Sequence, residues 1–171
     1  MYFTGYHGTS QEFASKIVAD GCFTLSSGNK EWLGSGIYFY EMFSDSLDWA
    51  DKKYPRDHAV LHAVVSVEED EYIDLDSIEG ESIYRRIINI IADTTKEIGN
   101  FHKGDAQNNQ CAVARYIWTR FNDIKLLLAS FPNEASAFPL IKDYRTKRRE
   151  LCVKNNSAIK GIQLIELKIE E

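Results

Sequence analysis

Residues 33–50 read LGSGIYFYEMFSDSLDWA. Two glycines open a loop, and the chain then enters Ile37-Tyr38-Phe39-Tyr40, a run of residues that favour strands. Ser44 or Asp45 stands where a helix cap belongs, so the spacing predicts a loop, a strand and a short helix reaching Trp49-Ala50. The flanking sequence offers partners for that strand. Tyr2–His7 reads as a short strand. Thr9 precedes Glu12 by three residues, the spacing of a capping box. Phe13, Ala14, Ile17 and Val18 then fall on one face of a helix that Asp20-Gly21 ends. Phe23-Thr24-Leu25 reads as a brief strand. Residues 59–67, AVLHAVVSV, are apolar without a helical stripe and rich in β-branched side chains, as a buried strand requires, and EYIDL (71–75) reads as another.

The middle of the chain changes period. Ile83, Ile87, Ile91 and Ile98 keep near-helical spacing, as do Val113, Ile117, Phe121, Ile124 and Leu128, which predicts two amphipathic helices joined by a polar loop at 99–110. The chain then returns to strands at ELCVK (150–154) and GIQLIELKI (161–169), with a turn at NNS between them. Strand, helix, strands, helices, strands is the order of an α+β domain whose helices lie to one side of the sheet.

Composition narrows the class. A chain of 171 residues with 44% hydrophobic and 27% charged residues is expected to form one globular domain, here 1–171. No apolar run approaches the roughly 18–20 residues of a membrane span. The start lacks a basic region followed by an apolar stretch, so a cytoplasmic location is expected. Three widely separated cysteines, Cys22, Cys111 and Cys152, contain no CxxC pair, and His58, His62 and His102 show no ligand spacing, so neither a metal nor a disulfide is expected. The net charge of −6 is uneven. Residues 68–81 carry eight acidic side chains and no basic one, whereas 142–154 carry six basic against two acidic. The basic segment could grip phosphates on an otherwise acidic body.

Three separated pieces gain meaning together: YHGTS (6–10), LGSGIYFYEMFSDSLDWA (33–50) and RRELCVKNNSAIKGIQLIEL (148–167). Taken in order they resemble the ADP-ribosyltransferase superfamily, in its diphtheria-toxin and poly(ADP-ribose) polymerase branch with a His–Tyr–Glu triad. The resemblance implies a split antiparallel β-sheet core with flanking helices, here interrupted by a helical insertion at about 82–131. It also implies NAD as co-substrate, cleaved between nicotinamide and ribose, with ADP-ribose passed to a macromolecular acceptor. On this resemblance Glu150, His7 and Tyr38 are the catalytic set. Glu150 would stabilise oxocarbenium-like charge through the neighbouring ribose hydroxyl. Gly8 would hold the nicotinamide carboxamide through its backbone and Ser46 through its hydroxyl, while Tyr38 and Trp49 sandwich the ring. His7 and Thr9 would take the adenosine ribose, and Gly36 and Phe39 belong to the same dinucleotide-binding set.

Two departures bear on the acceptor. Trp49 replaces the second tyrosine and keeps the stacking surface, whereas Asp45 stands where the polymerases keep an acceptor-side lysine, so transfer of single ADP-ribose units is expected. Arg145, Lys147, Arg148 and Arg149 precede Glu150 where the family chooses its acceptor, which favours a nucleic acid slightly over a protein. A small stand-alone enzyme of this type is expected to be a bacterial or phage-related toxin or effector, in a toxin–antitoxin or phage-defence setting, restrained by an antitoxin or inhibitor. The alternatives are an NAD glycohydrolase, with water as acceptor, and a non-catalytic module that binds NAD or ADP-ribose. Singly, each residue has a plainer reading: His7 as a strand histidine, Tyr38 and Trp49 as core aromatics, Glu150 as a surface ion-pair partner.

Overall fold

A computed structural model describes residues 1–26, 31–96, 106–132 and 147–166. Among these, seven strands form one sheet in the order β4-β5-β6-β2-β1-β3-β7. The strands are β1 (Tyr2–Ser10), β2 (Ile37–Tyr40), β3 (His58–Ser66), β4 (Tyr72–Asp74), β5 (Leu126–Pro132), β6 (Lys147–Val153) and β7 (Ile159–Ile165). All pairings are antiparallel except β4 with β5. Four helices accompany the sheet: α1 (Gln11–Asp20), α2 (Phe43–Lys53), α3 (Ile78–Lys96) and α4 (Ala106–Arg120). The chain is therefore α+β with a mostly antiparallel sheet. Among the described residues no helix is long and apolar enough to cross a membrane.

Alternation along the strands builds two cores. One face buries Ile37, Phe39, Leu61, Leu151 and Val153 against Ala14 and Ile17 of α1 and against Phe23. The other buries Leu127, Ala129 and Cys152 against Ile87 of α3 and Val113, Ala114 and Ile117 of α4. β5 contributes to both, with Leu126 and Leu128 on one side and Leu127, Ala129 and Phe131 on the other.

That double burial is where the sequence pattern misleads most. A short run apolar at every position carries no period, so spacing alone carries the helix past Ile124 to Leu128. The helix stops at Arg120, Ile124 lies in the following turn, and the helical insertion gives way to β5 before residue 131. The polar loop is shorter than expected, since α4 already begins at Ala106, while 99–105 lies outside the described residues.

The other differences are local. β1 runs on to Ser10, and the cap of α1 is Ser10, whose Oγ accepts from Phe13 N–H at 3.3 Å, not Thr9. Phe13 and Val18 are exposed while Ala14 and Ile17 are buried, a narrower stripe than expected. Gly21 ends α1 in the left-handed conformation (φ 66°), as its lack of a side chain allows. Residues 23–25 form no strand; only Ser26 bridges to Gly36. α2 starts at Phe43, its cap position is Met42, and neither Ser44 nor Asp45 caps it. The turn at NNS is a 3-10 turn, Asn156–Ala158.

Candidate functional site

The three proposed catalytic residues lie on three neighbouring strands: His7 on β1, Tyr38 on β2 and Glu150 on β6. Register decides which faces they share. Tyr6 pairs with Tyr40, Tyr40 with Glu150, and Tyr38 with Cys152. Even-numbered residues of β1, β2 and β6 therefore share one face, so the side chains of Tyr38, Tyr40 and Glu150 lie together with Gly8. His7 alternates to the other face, where its ring packs edge-on against Phe23 at 5.0 Å and Phe39 at 5.8 Å. Its link to Tyr38 runs through the backbone: His7 Nδ1 donates to the Tyr38 carbonyl at 2.8 Å.

Backbone direction shows what lies between β1 and β2. Val67 N–H donates to the Met1 carbonyl and Gln11 N–H to that of Asp57, so the odd-numbered residues of β1 bond to β3. Glu41 N–H donates to the Arg149 carbonyl, so the odd-numbered residues of β2 bond to β6. The N–H and C=O of Tyr6 and Gly8 therefore turn toward β2. Tyr6 meets Tyr40 there, and the β1–β2 ladder ends at that single pair. Beyond it Gly8 has no ladder partner on β2, which leaves an opening in the ladder.

α2 covers this opening on the Tyr38 face. A Cβ on Gly8 would lie 2.5 Å from the Ser46 carbonyl oxygen, 2.9 Å from Ala50 Cβ and 3.2 Å from Ser46 Oγ. Only glycine allows the helix so close. Ser46 is fully buried, and its hydroxyl has no hydrogen-bond partner among the described residues. Gly8→Ala is expected to push α2 off β1 and cost roughly 1–3 kcal/mol, read as a lower urea midpoint with an unchanged slope.

Electrostatics separate the three groups. Burial pushes the Glu150 carboxyl up to about 7; the Arg148 guanidinium opposes this and Asp45 adds to it. No described residue hydrogen-bonds that carboxyl. Burial also holds His7 below its ordinary value, with the Tyr38 carbonyl opposing and the charge of Lys53 assisting. His7 is therefore neutral near pH 7, and donation from Nδ1 leaves Nε2 as an acceptor. Burial raises the Tyr38 phenol, and nearby Cys152 raises it further. The phenol is also engaged: it donates to the Gly34 carbonyl at 2.6 Å and accepts from Leu33 N–H at 3.0 Å. Tyr38 thus pins the loop before its own strand, which Trp118 of α4 holds from the far side through the Leu33 carbonyl at 2.7 Å.

The remaining residues divide. Trp49 is half-buried on α2, with Lys53 Nζ 4.5 Å from its ring centroid. Thr9 is buried, and its place in the register ties its backbone to β3. Phe39 is 1% exposed and packs on Phe23 at 5.1 Å, so its side chain serves the core and does not reach the opening. Gly36 is a packing position too, because a Cβ there would come within 2.4 Å of Cys152 Sγ.

The basic residues before Glu150 have partners that spacing does not show. Arg148 is ion-paired with Asp45 at 3.6 Å and with Asp48, and Arg149 with Asp74 at 2.7 Å, Asp76 at 3.0 Å and Glu41 at 3.6 Å. Both are held by carboxylates of the fold, and each keeps part of its side chain exposed. Lys147 is exposed, and Arg145 lies outside the described residues. The sequence shows Asp45 as a departure from the polymerases but not its partner, Arg148, two residues before Glu150 on the same face.

Elsewhere, a hollow of about 390 Å³ lined by Tyr6, His62, Gln163 and Ile165 lies over β1, β3 and β7, apart from the Gly8–Ser46 opening. Among the described residues no group of three or more His, Cys, Asp or Glu could hold a metal. Cys111 and Cys152 are buried and Cys22 is exposed, and none of the three forms a disulfide.

Comparisons with known proteins add a relative without a known activity. No family model matches the chain, and no solved structure matches it. The chain is similar to an uncharacterized protein of Methanocaldococcus jannaschii, with 29% identity over 193 aligned positions that cover 96% of this chain and 88% of the relative.

Proposed function

We propose that this protein is an ADP-ribosyltransferase that cleaves NAD at the nicotinamide–ribose bond and transfers a single ADP-ribose to a macromolecule. The observation that carries this reading is the Ser46 hydroxyl, fully buried without a partner among the described residues and lying beside Gly8. An unsatisfied buried hydroxyl costs roughly 1–3 kcal/mol unless a ligand completes it. A primary carboxamide fits the pair: its oxygen accepts from Ser46 and from Gly8 N–H, and its NH2 donates to the Gly8 carbonyl. On this reading Glu150, half-buried on the same face and without a hydrogen-bond partner among the described residues, accepts from a ribose hydroxyl and opposes positive charge at the anomeric carbon. On the same reading His7, whose ring lies on the opposite face of β1, offers Nε2 as a neutral acceptor for a second hydroxyl where the β1–β2 ladder ends.

Incubation with NAD labelled in its adenylate half tests the reading. Release of nicotinamide with label in protein, RNA or DNA is the expected result, and the labelled pool names the acceptor. No nicotinamide release under any condition would remove the enzyme and leave only a binding module. Ser46→Ala should leave stability unchanged or raise it by about 1 kcal/mol, since it deletes an orphaned polar group, while weakening inhibition by free nicotinamide roughly tenfold. Equal inhibition of both proteins would remove Ser46 from the site.

One observation favours a second reading. With Arg148 and Arg149 consumed by internal carboxylates, little basic surface beside Glu150 is left among the described residues to recruit a nucleic acid. Nicotinamide release without labelled macromolecule would identify an NAD glycohydrolase.

A further inference from the structure

Lys53 closes the last turn of α2, seven residues after Ser46 and four after Trp49. Positions i, i+3, i+4 and i+7 share one helix face, so Ser46, Trp49, Ala50 and Lys53 form a single stripe. Contacts of Gly8 with Ser46 and Ala50 lay that stripe against β1. Lys53 Nζ stands 4.5 Å from the Trp49 ring centroid and 5.5 Å from that of Tyr54, and its charge is felt at His7. Lys52 is tied to Asp48 at 2.9 Å, and Arg148 and Arg149 are held by carboxylates. Lys53 has no carboxylate partner among the described residues.

We propose that Lys53 binds the diphosphate of the dinucleotide. This rests on the reading above, in which the nicotinamide lies at Gly8, Ser46 and Trp49 and the adenosine ribose at His7. The group that joins those two ends carries two negative charges, and Lys53 is a cation on the Ser46–Trp49 stripe of α2 whose charge reaches His7. A lysine ammonium is a point charge on a flexible stem, so it can leave one partner for another. It covers the Trp49 face, the face a cationic nicotinamide ring needs. The diphosphate draws the ammonium away and frees the indole for stacking, so one residue couples recognition of the two halves.

The test compares Lys53→Ala and Lys53→Arg with wild type in the full chain, by calorimetry with ADP-ribose, by calorimetry with adenosine as a probe lacking phosphate, and by steady-state nicotinamide release. Lys53 is exposed, so the fold should survive, and circular dichroism checks it. Lys53→Ala should weaken ADP-ribose and raise KM for NAD roughly tenfold or more, with adenosine affinity and kcat changed by less than about threefold. Lys53→Arg should retain most of the ADP-ribose affinity. Equal ADP-ribose affinity in Lys53→Ala and wild type would overturn the role of Lys53 and leave the dinucleotide reading standing. Parallel loss of adenosine affinity would also overturn it, by showing a structural effect. A wild-type protein that binds neither ADP-ribose nor NAD would end both.

Discussion

Glu150→Gln is expected to cut nicotinamide release from NAD by roughly a hundred- to a thousandfold while making the protein more stable at neutral and alkaline pH. Both effects have one cause. Glu150 is half-buried on β6, next to the central strand, and desolvation raises its carboxyl to about 7 from an ordinary 4.5. Between those two values the folded state binds more protons than the unfolded state, so stability falls as pH rises through the window and stays low above it. The full difference is ~3 kcal/mol, since each tenfold change in proton affinity corresponds to about 1.4 kcal/mol. Glutamine has the same shape and no charge to bury. The difference between variant and wild type should therefore be near zero at pH 4.5 and grow to ~3 kcal/mol by pH 8, measured by urea unfolding across that range. Activity should move the opposite way, because the ionised carboxylate is the group that opposes ribosyl charge. A variant that is stabilised but still active would separate Glu150 from the chemistry.

Arg148→Ala should be costly in another way. The guanidinium sits between Asp45 and Asp48 and is the cation that restrains the Glu150 carboxyl. Its removal leaves Asp45 and Glu150, whose negative charges repel each other, without their shared cation, and Asp48 without one of its two. Breaking such a pair from one side is expected to cost roughly 3 kcal/mol, most of it the penalty on the acids left behind. The pKa of Glu150 should rise further, so the acid limb of kcat/KM against pH should move to higher pH, with activity at pH 7 reduced and partly recovered at pH 8.5. Arg148→Lys keeps the charge and should shift the limb less. A limb that stays in place would show that Glu150 and Arg148 do not act on each other.

Strand and loop identity near the opening was legible because the signals were local. GSGIYFY announced a glycine loop entering β2, and AVLHAVVSV announced β3, since β-branched and aromatic side chains favour a pleated surface whatever lies around them. β5 was hidden because burial on both faces erases the alternation that marks a strand. The partners of the basic segment were hidden for a different reason. Charge is visible in a sequence and counter-ions are not: Arg149 finds Asp74 and Asp76 about seventy residues back, inside the acidic run of 68–81. Two segments that looked like opposite surface patches partly cancel each other across β4, β5 and β6. The orphaned hydroxyl of Ser46 was likewise beyond reading, because it depends on how closely α2 approaches Gly8.

The most direct measurement is a crystal structure of Glu150→Gln grown with NAD, the variant chosen because it should hold substrate without cleaving it. The carboxamide is expected within hydrogen-bond distance of the Gly8 backbone and Ser46 Oγ, with the anomeric carbon of the adjoining ribose facing position 150. A dinucleotide seated on any other surface, or a bare opening at saturating NAD, would contradict the account.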